Sequence, residues 1–184
     1  MNKGKFVVIS GPSGVGKGTI CDRIINELKA AYSISFTTRS PREGEVDGVN
    51  YYFISKEEFE RRIKLGDFLE YNIYNDNYYG TSKDMVLKNI NNGINVLAEI
   101  DVNGAHNIKR MFDDALLIYI APPSIDILRD RLIGRGTESM EKINQRLKIA
   151  EKELEEIDFY DYVVVNDDLD DAVDKVKKII LKEI

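Results

Sequence analysis

The sequence predicts an α/β fold, a parallel sheet covered by helices on both faces. Four short apolar runs, Phe6 to Ile9, Asn95 to Ile100, Leu116 to Ala121 and Tyr162 to Val165, lack strict in–out alternation. Strands buried on both faces read this way. Helical stripes lie between them: Ile20, Ile24, Ile25 and Leu28 follow the first run, and Leu169, Val173, Val176 and Ile180 follow the last. Their spacing of three and four places them on one helix face. Strand, helix and strand in that order imply parallel pairing with right-handed crossovers.

Two stretches depart from this pattern. From Ser33 to Thr81 the chain is polar and tyrosine-rich, with turn signals at Ser40-Pro41 and Asp47-Gly48 and short alternating pieces such as Tyr51-Tyr-Phe-Ile54. A small, mostly β insertion over 33–83 is expected there. From Ser124 to Ile157 the chain is charged and helical. Ile127, Leu128 and Leu132 lead to Gly134-Arg-Gly136, and Ile143, Leu147, Ala150, Leu154 and Ile157 follow. The two glycines predict a corner between two helices, giving a mobile segment over 124–157. The remaining pieces, 1–32, 84–123 and 158–184, form the core of one expected domain spanning 1–184.

Composition narrows the function. With 43% hydrophobic and 32% charged residues among 184, and no apolar run near the roughly 20 residues that span a bilayer, a membrane role is not expected. Met1-Asn-Lys-Gly-Lys5 is too short for the charged part of a signal peptide. With Cys21 the one cysteine, a reducing, cytoplasmic setting is expected. Cys21 itself reads as a small buried hydrophobe. A net charge of −6 argues against a nucleic-acid-binding face. An anionic substrate would have to be met by local clusters of Arg and Lys.

One such cluster follows the first strand. Phe6-Val-Val-Ile-Ser10 runs into Gly11-Pro-Ser-Gly-Val-Gly-Lys-Gly-Thr19 and then into the first helical stripe. This strand, loop and helix context is what a phosphate-binding P-loop requires. Its glycines let the backbone wrap phosphate oxygens, the amides at the helix start point at the anion, and Lys17 reaches the β- and γ-phosphates. Gly11, Pro12, Ser13, Gly14, Val15, Gly16, Lys17, Gly18 and Thr19 are therefore candidate ATP-binding residues. The position after Lys17, where Ser or Thr normally reaches Mg²⁺, holds Gly18, and the hydroxyl comes one residue later at Thr19. Thr19 is thus the candidate metal contact, mostly through water.

A P-loop establishes only a nucleoside triphosphate. The chain has no Asn-Lys-x-Asp guanine motif of the signalling GTPases and is short for a motor ATPase. A kinase needs a second anion pocket, and Thr37-Thr-Arg-Ser-Pro-Arg42 offers one. Ser35-Phe-Thr-Thr-Arg-Ser-Pro-Arg-Glu-Gly-Glu45, Gly48-Val-Asn-Tyr-Tyr-Phe53, Phe68-Leu-Glu-Tyr71 and Asn77-Tyr-Tyr-Gly80 come in sequence after it. So do Glu99-Ile-Asp-Val-Asn-Gly104, Ile120-Ala-Pro-Pro-Ser124, the Gly-Arg-Gly between Arg131 and Thr137, and Val165-Asn-Asp-Asp168. In order and spacing these segments resemble the guanylate kinases over nearly the whole chain.

The resemblance implies a P-loop parallel sheet core flanked by helices, a GMP-binding insertion and a helical lid. It implies transfer of the γ-phosphoryl of ATP, with Mg²⁺, to GMP and also dGMP, a step of purine nucleotide metabolism and GMP recycling. Arg39, Arg42, Tyr51 and Tyr79 would hold the GMP phosphate, and guanidinium forks and phenol hydroxyls are strong donors to such oxygens. Ser35, Glu70 and Thr81 would read guanine, Glu70 accepting from N1–H and the exocyclic amine. Glu99 would face the GMP base or the metal, and Asp101 the base or the metal's waters, with a helix N-cap as the rival role for Asp101. Arg131, Arg135 and Arg146 would bring guanidinium groups to the migrating phosphoryl, joining Lys17 and Arg39 as catalytic candidates. Asn166 and Asp167 would lie near the adenine, and His106 reads as structural. The expected partners are ATP and GMP, with no nucleic acid or membrane, in a monomer or homodimer. Two rivals stand beside this reading. A ribose-bisphosphate or other small phosphokinase would have no use for Glu70 and the tyrosines. A binding module without activity would be expected to have a degraded P-loop.

Overall fold

The computed structural model describes residues 3–74, 76–134, 136 and 139–184, and the structural statements below concern those residues. In chain order the elements are β1 (Phe6–Ser10), α1 (Lys17–Leu28), β2 (Ala31–Tyr32), β3 (Phe36–Thr37), β4 (Tyr52–Phe53), α2 (Lys56–Leu65), β5 (Phe68–Tyr74), β6 (Asn77–Ser82), α3 (Lys83–Asn91), β7 (Val96–Glu99), α4 (Val102–Met111), β8 (Leu116–Ala121), α5 (Ile125–Gly134), α6 (Met140–Leu154), a 3-10 turn (Ile157–Phe159), β9 (Tyr162–Val165) and α7 (Leu169–Glu183). The larger sheet has the order β2-β7-β1-β8-β9 and is parallel throughout. The expected fold class is the observed one.

Alternate residues of the same strands feed two cores, which explains why the apolar runs do not alternate with polar residues. Val7, Ile9, Leu97, Ile118 and Ile120 pack under α1 and α7, through Ile20, Ile24, Val173 and Val176. Phe6, Val8, Ala98, Leu117 and Tyr119 pack on the opposite face against α3 and α4, through Val86, Ile90, Ala105 and Ile108. Cys21 is fully buried in the first of these cores, while Ile25 is only partly buried at its edge. The strand expected from Asn95 starts at Val96 instead, because the Asn95 side chain accepts a hydrogen bond from the Lys5 amide at 2.7 Å.

The insertion forms a second sheet, β4-β3-β6-β5, mixed in direction, with α2 beside it. Its core is aromatic: Phe59 of α2 stacks on Phe68 and on Tyr78, with ring centroids 4.3 and 5.0 Å apart. The corner segment consists of α5 and α6, packed through Leu128, Leu132, Ile143 and Leu147. His106 stacks on Phe159 at 3.8 Å and faces Glu156 at 3.5 Å, the structural role expected of it. No helix among the described residues is long and apolar enough to cross a membrane.

Candidate active site

β1 ends in the loop from Gly11 to Gly16, and α1 begins at Lys17. The other six helices are capped at their N-termini by the side chains of Ser55, Ser82, Asp101, Ser124, Ser139 and Asp168. α1 starts instead from Gly16 in the left-handed region, with no side-chain cap and no acidic residue in its first turn. Its leading amides and its positive dipole end are therefore left for an anion. Lys17 Nζ donates to the carbonyls of Gly11 (2.7 Å) and Pro12 (3.1 Å) and stands 3.9 Å from Glu99 Oε1. Two remote side chains pin the loop: Arg146 of α6 donates to Ser13 Oγ, and Asn166 donates through Nδ2 to the Val15 carbonyl at 2.8 Å. Gly18 also has a reason here. A β-carbon on it would lie 3.2 Å from Glu99 Oε2, so the usual Ser or Thr would crowd the carboxylate that faces Lys17.

Glu70 sits in β5 opposite Thr81 of β6, just after a register shift. Only 8% of it is exposed, and Thr81 Oγ1 donates to Glu70 Oε1 at 2.6 Å. Burial pushes its carboxyl up to about 7 despite that hydrogen bond. Helix α4 leaves space for the second oxygen by having glycine at 104, where a β-carbon would meet Glu70 Oε2 at 2.6 Å. Asp101 caps α4 through the Gly104 amide at 2.7 Å and accepts from Asn72 Nδ2 at 3.0 Å. The capping role is thus the observed one, and the same carboxylate also faces the cleft.

Arg39 is the most constrained cation of the insertion. It makes a two-pronged pair with Glu45, both contacts at 2.9 Å, and lies 5.4 Å from the Tyr51 ring and 5.7 Å from the Phe53 ring. Hydrogen bonding to Glu45 raises its basicity, and Arg39 in turn holds Glu45 below the usual carboxylate range. Burial, with Glu99 next in effect, pushes the Tyr51 phenol up to about 12.

A cleft of about 550 Å³ joins the two halves. The P-loop residues Gly11, Ser13, Gly14 and Gly16 through Thr19 line it, together with Ser35, Arg39, Arg42, Tyr51, Glu70 and Tyr79 of the insertion. Glu99 and Asp101, at and just after the end of β7, Asn72 of β5, and Arg146, Ile149 and Glu153 of α6 are also among its lining residues. Pro12, Val15, Thr81, Arg131, Asn166 and Asp167 do not line it. Val15 and Thr81 are fully buried. Arg131 donates to the carbonyls of Asn166 (2.9 Å) and Asp167 (3.3 Å), and Asn166 is itself buried where it holds the loop. Arg135 lies outside the described residues.

A family model described as Guanylate kinase matches residues 3–183. The chain belongs to the guanylate kinase family. A guanylate kinase of Clostridium tetani is 48% identical over 183 residues, covering 100% of this chain and 88% of that one. One from Caldanaerobacter subterraneus subsp. tengcongensis is 52% identical over 182 residues, covering 98% and 88%. The crystal structure of guanylate kinase from Anaplasma phagocytophilum superposes with a TM-score of 0.84 at 32% identity, covering 99% of this chain and 87% of that one.

Lys17, Arg39, Glu70 and the tyrosines, named through the family resemblance, line one cleft, but two residues that line it, Asn72 and Glu153, and one that pairs with Arg39, Glu45, escaped the sequence reading. Glu45 lay inside a quoted motif without a role. Asn72 follows Glu70 by two residues, a strand repeat, and Glu153 follows Arg146 by seven, two helical turns on one face. Among the described residues no three His, Cys, Asp or Glu side chains converge on a metal site. Three groups that line the cleft, the Thr19 hydroxyl and the carboxylates of Glu99 and Asp101, are hard oxygen donors. That set suits Mg²⁺, which keeps several waters and is bound largely through substrate phosphates.

Proposed function

We propose that the chain transfers the γ-phosphoryl group of ATP to GMP, and also to dGMP, giving ADP and the nucleoside diphosphate. The observation that carries this reading is one cleft lined both by a P-loop lysine and by a buried carboxylate beside two arginines and two tyrosines. In this reading the α1 amides and Lys17 hold the ATP phosphates, and Arg39, Arg42, Tyr51 and Tyr79 hold the phosphate of GMP. Glu70 accepts from two guanine donors that adenine does not offer in that arrangement. Thr81 orients Glu70 rather than reading the base directly, while Ser35 lines the cleft beside them.

Phosphoryl transfer passes through a loose transition state, so in-line placement and fixed positive charge do most of the work. Lys17, Arg39 and Arg146 supply that charge from three different elements. Arg131 and Arg135 belong to the same lid, 124–157, whose closure together with the insertion, 33–83, would exclude water and suppress ATP hydrolysis. Mg²⁺ arriving with ATP would neutralise phosphate charge, with the Thr19, Glu99 and Asp101 oxygens of the cleft as the groups that would hold it, largely through water. Asn166 and Asp167 support the ATP side of the one expected domain, 1–184.

A coupled assay offering ATP and Mg²⁺ with GMP, AMP, dTMP or ribose bisphosphate tests the reading. Turnover with GMP should far exceed that with the others; equal turnover with AMP would refute the role of Glu70. Lys17→Ala should abolish transfer while leaving thermal unfolding nearly unchanged.

A further inference from the structure

The donors of Arg39 can be counted. A guanidinium offers five N–H groups. Nη1 donates to the Ser40 carbonyl at 2.7 Å and to Glu45 Oε2 at 2.9 Å, and Nη2 donates to Glu45 Oε1 at 2.9 Å. The Nη1–Nη2 edge is therefore committed to Glu45. What remains is the second Nη2 hydrogen, with the Tyr79 hydroxyl near the guanidinium, and Nε–H, which is buried and has no partner among the described residues. A buried donor without an acceptor is costly unless a ligand meets it. These two hydrogens share one edge, the alternative fork with which arginine grips a phosphate.

Glu45 is arranged to hold that orientation. Its Oε2 also accepts the Arg42 amide at 2.7 Å, and the Arg42 carbonyl accepts the Glu45 amide at 3.0 Å. Tyr51 and Phe53 flank the guanidinium. The two partners lie six positions apart, joined by the five residues 40–44, and both side chains are mostly buried, at 14% and 17% exposure. Solvent competes weakly with a pair so enclosed.

We propose that Glu45 is a positioning residue for the acceptor phosphate: it grips Arg39 by one edge so that the Nε–Nη2 edge is presented to the phosphate of GMP. This rests on the reading that Arg39 belongs to the GMP phosphate site. Glu45 touches no substrate in this scheme; it acts through Arg39 and the Arg42 backbone.

The test measures binding of GMP and of guanosine, which lacks the phosphate, by calorimetry on the full chain. Glu45→Gln should weaken GMP by about tenfold or more, the scale of one charge-assisted hydrogen bond, and leave guanosine within about twofold. Adding Glu45→Gln to Arg39→Ala should have little further effect, because the residue it positions is gone. Equal weakening of GMP and guanosine, or full additivity with Arg39→Ala, would overturn the proposal. If Arg39→Ala itself leaves GMP binding intact, it is the phosphate-site reading that fails. Should the Gln variant fail to fold, the native protein still decides: its Arg39 Nε–H proton resonance should shift with GMP and not with guanosine. An unmoved resonance overturns the proposal.

Discussion

Replacing Glu70 with Gln should make the protein more stable at pH 8 and a poorer kinase. Burial raises the Glu70 carboxyl from an ordinary 4.5 to about 7. A carboxyl whose folded pKa is raised binds its proton more tightly in the fold than in the unfolded chain. The fold therefore bears no ionisation cost below about pH 4.5, a growing cost between 4.5 and 7, and the full cost above 7. At 1.36 kcal/mol per unit that full cost is about 3 kcal/mol. Gln carries no charge at any pH and can still accept from Thr81 Oγ1. Its new amide hydrogens need an acceptor, which takes back about 1 kcal/mol or more. The net gain should be about 1 to 2 kcal/mol at pH 8, fading to nothing or reversing by pH 5. Urea unfolding of both proteins at the two pH values measures it. In the proposed reading the same substitution replaces one acceptor for guanine with a donor, and should lower kcat/KM for GMP by about 1 to 3 kcal/mol in barrier terms. In the native enzyme KM for GMP should rise as pH falls below about 7, while in Glu70→Gln it should not. A stability difference that does not change with pH would refute the buried-carboxylate argument. An unchanged preference for GMP over AMP would refute the recognition argument.

Other substitutions separate the two halves of the cleft. Gly104→Ala should raise KM for GMP while sparing ATP, because its methyl would press on Glu70 Oε2; denaturation should also show a loss of about 1 to 3 kcal/mol from overpacking. Asn166→Ala removes the bond to the Val15 carbonyl and should raise KM for ATP without changing KM for GMP, as steady-state kinetics with each substrate varied would reveal. Gly18→Ser should perturb the ion pair between Lys17 and Glu99 by crowding Glu99, lowering kcat several-fold at saturating GMP.

The central strands β1, β7 and β8 of the larger sheet were readable because both faces are buried, leaving runs such as Leu116 to Ala121 apolar at every position, whereas β9 at the sheet edge was readable from its valines although Val163 and Val165 are exposed. β2 was not, since two residues, Ala31 and Tyr32, carry no period and owe their strand to pairing with Val96 and Leu97. α2 was hidden in a stretch whose tyrosines suggested β structure. It is announced only by the Ser55 cap and the acidic first turn of Glu57 and Glu58. In the site, Lys17 and Glu70 could be named from motifs with the roles now proposed for them. Thr81, Asn166 and Arg131 could be named too, but only as expected nucleotide contacts and not with the protein groups they bind. Thr81 binds the Glu70 carboxylate across the β5–β6 pair, Asn166 the distant loop carbonyl and Arg131 the chain after β9; none of these contacts has a local signature.

An acidic protein that admits two polyanionic nucleotides needs positive charge that is local rather than net. The chain carries −6 overall, and four carboxylates, Glu70, Glu99, Asp101 and Glu153, line the cleft itself. Each is restrained by its surroundings. Asp101 is committed to the α4 cap and Asn72. Glu99 faces Lys17 at 3.9 Å. Burial pushes Glu70 and Glu153 up to about 7, so neither is fully charged at neutral pH. Against them Lys17 is held mostly by carbonyls, which arriving phosphates can replace without separating a tight ion pair. Arg39 is the exception, already matched to a carboxylate before any phosphate arrives. Its pairing supplies orientation instead of charge, so losing Glu45 should damage acceptor binding even though it removes a negative group from a site built for anions.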